Sequence, residues 1–398
     1  MLNTLVVQLF QRAATPPDQR PDRFGNITVI DRAEEADAIL RDHLTFEKDF
    51  ALLAGMGQSR FNLNGDRWVA FRGRTQPLYA LAGRPNRRGA VSTIYDEEIA
   101  RIDPANPATV EHAFGRAALR VFFQALQIEA DVAPFFDLFA ELRIVAAQLQ
   151  YQTWSQGRDP EVTPQQAVAI AEETVQRFWA LVSAAPSALR FVETSVADAG
   201  EGEGEVGAAV TDLMQNMFAG IETTMASLGW ALVNLGKNAA VQDRALAAIR
   251  AGDEGADYLG TFLNESMRCM PPIPFVVRRS ATGKTIGTRH FSEGQQILLS
   301  IIGVHRDPDA WAEPNVFDAS RAAFLDAARP PRGFIPFLTG PRVCGGKRIA
   351  EMEMIEALRL FLSRYEIETA KRETNFNYAL ALRPDLSAIS LRPRRASP

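Results

Sequence analysis

Residues 210–235 are apolar almost all round the helix they predict, with small residues throughout and only Asp212 and Glu222 carrying charge. A helix with no polar face cannot lie on a surface, so it must run through the centre of the molecule with other elements on every side. Those elements are legible as further helices. Apolar spacing predicts helices over residues 107–127, 132–154 and 163–186, broken at Pro104, Pro107, Pro160 and Pro186, and another at about 256–270 that stops at Pro271 and Pro272. Strands are short: Val29 and Ile30, with Asp31 capping a helix to about residue 42, then 275–279 and 295–302. Residues 376–382 and 386–391 alternate as a terminal hairpin would. The acidic stretch 199–207 reads as a flexible lead into the central helix. The fold class expected is mostly α with small β-sheets, and residues 1–398 contain no linker, repeat or low-complexity tract to divide a single large domain.

A formal net charge of −5 gives no reason to expect nucleic acid or an anionic membrane as partner. Two cysteines, at 269 and 344, make no disulfide framework and point to a reducing compartment. The apolar run 2–10 is too short to span a bilayer and lacks a basic flank, so it is expected to pack on the fold of a cytoplasmic protein with no membrane anchor.

The chemistry centres on residues 337–346, FLTGPRVCGG. Gly340, Pro341, Gly345 and Gly346 bias this run towards a tightly turned loop, and apolar Ile349, Met352, Ile355, Leu358 and Leu362 announce a helix directly after it. Cys344 then sits just ahead of a helix N-terminus, with Arg342 and Lys347 adding positive charge, a setting that favours a thiolate. Such a thiolate serves as a nucleophile or as a soft metal ligand. The four histidines, at 43, 112, 290 and 305, have no zinc-ligand spacing, and Cys269 reads as a buried structural thiol. Three further patterns accompany the loop. Glu265 and Arg268 stand three apart on one helix, Trp68 and Arg72 four apart on another, and residues 219–224, AGIETT, place an acid and two threonines in the apolar central helix. Gly220 and the threonines are expected to loosen the backbone ladder there and open a kink.

Together these patterns resemble the cytochrome P450 superfamily, the haem-thiolate monooxygenases of the soluble bacterial type. Phe337, Gly340, Arg342, Cys344 and Gly346 fill that family's Phe-x-x-Gly-x-Arg-x-Cys-x-Gly pattern without a gap. The resemblance implies a haem b (iron protoporphyrin IX) between the central helix and the cysteine-loop helix, with Cys344 as the iron ligand, Phe337 and Gly346 shaping the loop, and Ala219 beside the haem. It implies propionate contacts from Trp68, Arg72, Arg342 and Arg278; strand alternation lets only one of Arg278 and Arg279 face the haem, and Arg278 is the one chosen. It implies that Glu222 and Thr223 deliver protons, with Glu222 standing where members often have Asp, and that Arg321 joins Glu265 and Arg268 in a buried network. The expected activity is insertion of one oxygen atom from O2 into a small hydrophobic substrate, with electrons from an external ferredoxin or flavodoxin and its reductase. That partner would dock near Cys344 on a basic face formed by Arg72, Arg74, Arg87, Arg88, Arg342, Lys347 and Arg348. A peroxide-driven peroxygenase and a non-catalytic haem-binding or sensing protein are the alternatives. The resemblance places the pocket walls at residues 46–61, at Met214, Met217, Phe218 and Ala219, and at residues 274–277 and 375–380.

Overall fold

The computed structural model describes residues 2–49, 57–143, 164–197, 203–252, 258–325, 331–369 and 374–394. The helices, in chain order, are α1 (Leu2–Ala14), α2 (Ala33–Arg41), α3 (Gly65–Ala82), α4 (Arg88–Ile99), α5 (Ala108–Ala125), α6 (Pro164–Ala184), α7 (Pro186–Ala197), α8 (Glu203–Lys237), α9 (Ala239–Arg250), α10 (Tyr258–Cys269), a single turn α11 (Ile301–Val304) and α12 (Lys347–Arg364). Residues 133–143 are also helical; the remainder of the helix expected there lies outside the described residues.

Helix α8 occupies the centre. From Ala208 to Leu235 it is buried on nearly every side, against α5, α7, α10, α12 and strands of the C-terminal region. Each large apolar side chain fully buried there is worth roughly 1.5–3 kcal/mol, which is why so apolar a sequence has no other stable place. The helix begins at Glu203, inside the acidic stretch read as a flexible lead. The apolar pattern marked where burial begins rather than where the helix does.

A five-stranded sheet of order β1-β2-β7-β4-β3 flanks the helices, built from Arg23–Phe24, Ile27–Ile30, Gln296–Ser300, Phe275–Ser280 and Phe46–Lys48. Strands β2 and β7 run parallel; β4 is antiparallel to both β7 and β3. Lys284–Ile286 (β5) and Arg289–Phe291 (β6) form a separate hairpin. Two local expectations give way to tertiary pairing. Asp31 does not cap α2: its carboxylate binds Arg12 at 2.8 Å and Arg20 at 3.1 Å, and the backbone N–H of Ala33 donates instead to Asp307 at 2.8 Å. The terminal segments do not pair with each other either. Phe376–Tyr378 (β9) pairs with Leu382–Pro384 (β10), while Ile389–Pro393 (β11) pairs with Tyr365–Thr369 (β8), the strand that follows α12 directly. Helix α1 buries Val6, Leu9 and Ala13 against the fold.

The cysteine loop is held from a distance. Fully buried Glu265 on α10 binds Arg268 at 2.7 Å and Arg321 at 3.0 Å, and also accepts the Asp318 backbone N–H. Arg268 directs its other N–H groups to the carbonyls of His305, Pro314 and Val316. His305 Nδ1 lies 3.1 Å from the Arg268 carbonyl, and its Nε2 accepts the Ile335 N–H at 3.0 Å. Burial pulls His305 down to about 3, so it stays neutral and its tautomer is fixed. From Ile335 the contacts pass into the loop itself, where Leu338 N–H donates to the Ile335 carbonyl and Cys344 N–H to that of Phe337.

Glu265→Gln removes the charge on which two buried guanidinium groups converge. It should cost about 3–5 kcal/mol in a urea titration; a loss below about 1 kcal/mol would show that the network is not held by charge.

Candidate functional site

Between α8 and α12 lies a cavity of about 400 Å³, and the residues singled out from sequence line it from three sides. Cys344 comes from the loop before α12. Ala219, Glu222 and Thr223 come from α8 opposite, and Trp68, Arg72, Arg278, Arg342, Phe337 and Gly346 complete the wall.

One glycine makes the cysteine loop possible. Gly340 has φ of +71°, and a Cβ there would lie 2.7 Å from the Leu40 carbonyl oxygen, whereas a Cβ on Gly345 would press only on the movable end of Gln76, at 2.7 Å. Gly346 is different: nothing lies within 4 Å of its would-be Cβ, so it keeps space open. Leu338 also has positive φ, at 59°, an uncommon conformation for a branched side chain. Cys344 is exposed, but the surface it exposes belongs to the cavity. Burial among protein atoms pushes its thiol up; the Gly346 backbone N–H and the charges of Lys48 and Arg60 pull the other way without prevailing. The thiolate expected from the electropositive setting therefore needs a further partner, and a soft metal ion is one that holds sulfur deprotonated.

The cations are concentrated on one side. Arg342 lies 3.9 Å from the Trp68 ring centroid and Arg72 lies 5.5 Å from it. Arg342 donates to the Leu63 carbonyl at 2.9 Å and to Asn64 at 2.7 Å; it is buried, so it belongs to the cavity wall and not to an outer basic face. Arg278 is buried and faces the cavity, whereas Arg279 is exposed and pairs with Glu47 at 3.6 Å. In the β3–β4 ladder Lys48 stands directly opposite Arg278, so both side chains leave the same face. Lys48 lies within the wall expected at residues 46–61, but its pairing with Arg278 was not anticipated, because its three-residue strand has a partner far along the chain. Two like charges facing each other disfavour the sheet, and burial together with Arg278, Arg342 and Arg60 pulls Lys48 well below its ordinary value. Arg278 donates one N–H to the Val277 carbonyl, but its Nη2 is buried without a partner. A group bringing carboxylates to this wall would satisfy that nitrogen and relieve the repulsion.

The opposite wall carries the acid. The helix assignment runs unbroken through residues 219–224, and Gly220 leaves room there: its would-be Cβ would meet only Phe122, at 3.9 Å. Thr223 donates its hydroxyl proton to the Ala219 carbonyl at 2.8 Å. Glu222 is 1% exposed. One oxygen lies 3.3 Å from Arg383 on β10, and the other is buried without a partner. Arg383 is shared with Glu111 on α5 at 2.6 Å. Burial pushes Glu222 up to about 8 against the pull of Arg143, and Glu111 adds to the rise; a guanidinium divided between two carboxylates does not reverse it. On α12 itself, Glu353 is likewise pushed up to about 8 by burial, although it accepts a hydrogen bond from Tyr95 at 3.2 Å. Cys269, half-buried, accepts from Arg268 at 3.2 Å and takes no part in the cavity.

The expected pocket walls are partly found. Phe61, Met214, Phe218, Val276, Tyr378 and Leu380 line the cavity; Phe46 and Met217 are core residues outside it, and residues 50–56 lie outside the described residues. Lys48 and Arg60 fall within the expected wall 46–61, where no charged residue was singled out; sequence reasoning missed Gln215 and Glu353, which also line the cavity.

A family model described as "Cytochrome P450" matches residues 190–389. Among curated proteins, Cytochrome P450 4X1 of Rattus norvegicus is 33% identical over 182 residues, 42% of this chain and 36% of that protein. The chloroplastic carotene epsilon-monooxygenase of Arabidopsis thaliana is 33% identical over 179 residues, 41% of this chain and 33% of that protein. The chain thus spans about a third of the length of these curated relatives. Among solved structures, a 6-coordinated cytochrome P450 from Thermus thermophilus superposes with a TM-score of 0.73 at 18% identity, covering 98% of each chain, a likeness of fold. No helix among the described residues is long and apolar enough to cross a membrane.

Glu353 allows a pH test. A carboxyl raised in the folded state binds its proton more tightly there than when unfolded, so its contribution is complete below the unfolded value and is lost as pH rises towards about 8. Urea midpoints of the wild type should fall between pH 5 and pH 8, and Glu353→Gln should flatten that slope; parallel curves would place the titration elsewhere.

Proposed function

Because the chain belongs to the cytochrome P450 family, we propose that it is a haem-dependent monooxygenase acting on a small hydrophobic substrate, with haem b in the cavity between α8 and α12. The observation that carries this reading is the facing of Cys344 and the Glu222–Thr223 pair across one cavity whose third wall is lined with cations, among them Arg278 with its Nη2 unpartnered among the described residues. The net reaction consumes the substrate C–H bond, O2, two electrons and two protons and yields an alcohol and water. When bound, a thiolate-ligated haem supplies the activation of O2.

The chain's own residues supply the rest. Cys344 is the iron ligand, held in place by its N–H bond to the Phe337 carbonyl and facing the Gly346 N–H. Arg278, Lys48, Trp68, Arg72 and Arg342 form the wall that receives the propionates, and Arg278 Nη2 is a donor still to be satisfied. Glu222, which lines the cavity, holds a proton at neutral pH on a carboxyl with one oxygen unpartnered among the described residues. Thr223, next to it in sequence, accepts such a proton at Oγ1 and passes on its own once it leaves the Ala219 carbonyl. Apolar Phe122, Phe218, Val276 and Leu380 exclude water from the substrate's share of the space. Electrons come from an external ferredoxin or flavodoxin. Exposed Arg84, Arg87, Lys347 and Arg348 share the face where the end of α3 meets the start of α12, suited to an acidic partner.

The reduced, carbon monoxide-treated protein tests the reading. Wild type should give the red-shifted Soret band of thiolate ligation, and Cys344→Ser should lose it; absence of haem, or a histidine-type band in wild type, overturns the proposal. Glu222→Gln and Thr223→Ala should keep that band while turnover with a reconstituted electron donor falls about 10²-fold. Full turnover in both variants would remove the pair from proton delivery.

A further inference from the structure

Besides Arg278 Nη2, two buried donors in the cavity, away from the Trp68–Arg342 wall, lack partners among the described residues. Arg60 and Gln215 are 8% and 5% exposed, both line the cavity, and Arg60 Nε and Gln215 Nε2 have no acceptor among the described residues. Both side chains are fixed. The Arg60 backbone N–H donates to Asp212 at 2.8 Å, and its Nη2 faces Asp212 at 3.4 Å, the Phe71 carbonyl at 3.3 Å and the Thr75 hydroxyl, which leaves the Nε edge over. Ser59 accepts the Phe61 N–H at 3.1 Å and donates its hydroxyl proton to Gln215 Oε1, which leaves the Gln215 amide nitrogen as the end without a partner among the described residues. Asp212 and Gln215 are three apart on α8, and Gln215 is one turn before Ala219, so the docked loop holds Arg60 against the face of the helix that forms the cavity ceiling.

The charge balance says what these donors await. Five basic side chains line the cavity against three acids, Asp49, Glu222 and Glu353, and burial pushes Glu222 and Glu353 up to about 8. Arg60 Nε and Gln215 Nε2 line the same cavity and each calls for an acceptor, which a carboxylate with two oxygens supplies. We propose that Arg60 and Gln215 receive the carboxylate of an amphipathic, singly charged substrate whose hydrocarbon lies along Phe122, Phe218, Val276 and Leu380; this rests on the monooxygenase reading above.

The test is binding of dodecanoic acid and its methyl ester to the haem-loaded protein, followed by the Soret shift as ligand displaces water. Wild type should bind the acid about tenfold more tightly than the ester. Arg60→Met and Gln215→Leu should each abolish that preference with little effect on the ester, and Arg60→Lys should keep part of it. Equal binding of acid and ester by wild type overturns the proposal. So does equal weakening of both in the variants, or loss of haem in Arg60→Met with the preference intact in Gln215→Leu, which would assign Arg60 to the propionates. A protein with the thiolate carbon monoxide band but no preference for the acid defeats this inference alone; one without the band defeats the monooxygenase reading.

Discussion

The geometry of the cavity depends on an ion network that never touches it. Glu265 has no exposure and would be untenable as a lone charge, so Arg268 and Arg321 must both be present and correctly placed for the fold to form. That requirement is transmitted by hydrogen bonds rather than by charge. Arg268 collects the carbonyls of residues 305, 314 and 316, His305 links Arg268 to Ile335, and the loop from Ile335 to Cys344 closes on its own backbone. A loop containing a positive-φ leucine needs support of this kind, because left to itself it would relax to easier backbone angles. The network thus fixes where the sulfur sits without contacting it.

Inside the cavity, burial and charge oppose each other, and the outcome differs by group. At Cys344 burial prevails over nearby cations, so positive surroundings alone do not yield a thiolate. At Lys48 and Arg278 burial and mutual repulsion act together, and the sheet register that forces them to face one another is stabilised elsewhere, by the continuous ladder from β3 through β4 to β7. Both anomalies have one remedy: a cofactor that carries a metal for the sulfur and carboxylates for the cations. Protein side chains that fit poorly by themselves fit together around such a group, as expected of a site shaped for a ligand rather than for stability.

Much of this was legible in the sequence. The central helix, the cysteine loop and the Glu265–Arg268 pair declare themselves through local periodicity and short spacing, and the family resemblance added Arg321, Trp68, Arg72 and the preference for Arg278 over Arg279. The segment 46–61 was expected on the pocket wall, but what its charged residues pair with stayed hidden, because that depends on partners distant in sequence. Lys48 reaches the cavity only because a three-residue strand pairs with β4, and Arg60 and Gln215 meet only because a loop docks on α8. Asp31 has the right residue type for a helix cap, yet Arg12 and Arg20 outcompete the helix for its carboxylate, and Asp307 takes over the cap. The terminal strands alternate as hairpin strands do, but alternation does not name the partner, and β11 found β8. Arg342, read as both a cavity and a surface cation, is only the former.

Glu222 shows why a buried acid in an apolar helix is not simply a defect. A single arginine beside it would form a neutral pair and keep the carboxylate ionised. Here Arg383 is divided between Glu222 and Glu111, so three groups with both acids ionised would carry a net negative charge in a poorly solvated place. The arrangement of lower free energy keeps one proton, and it resides on the more deeply buried acid, Glu222, because Glu111 is partly exposed to solvent. Glu222 lines the cavity with one oxygen unpartnered among the described residues, while its other oxygen leans towards Arg383 and, through it, towards partly exposed Glu111. An acid so placed has a proton to give at neutral pH and a charged neighbour ready to stabilise the carboxylate it becomes. A helix surrounded only by apolar neighbours would offer neither.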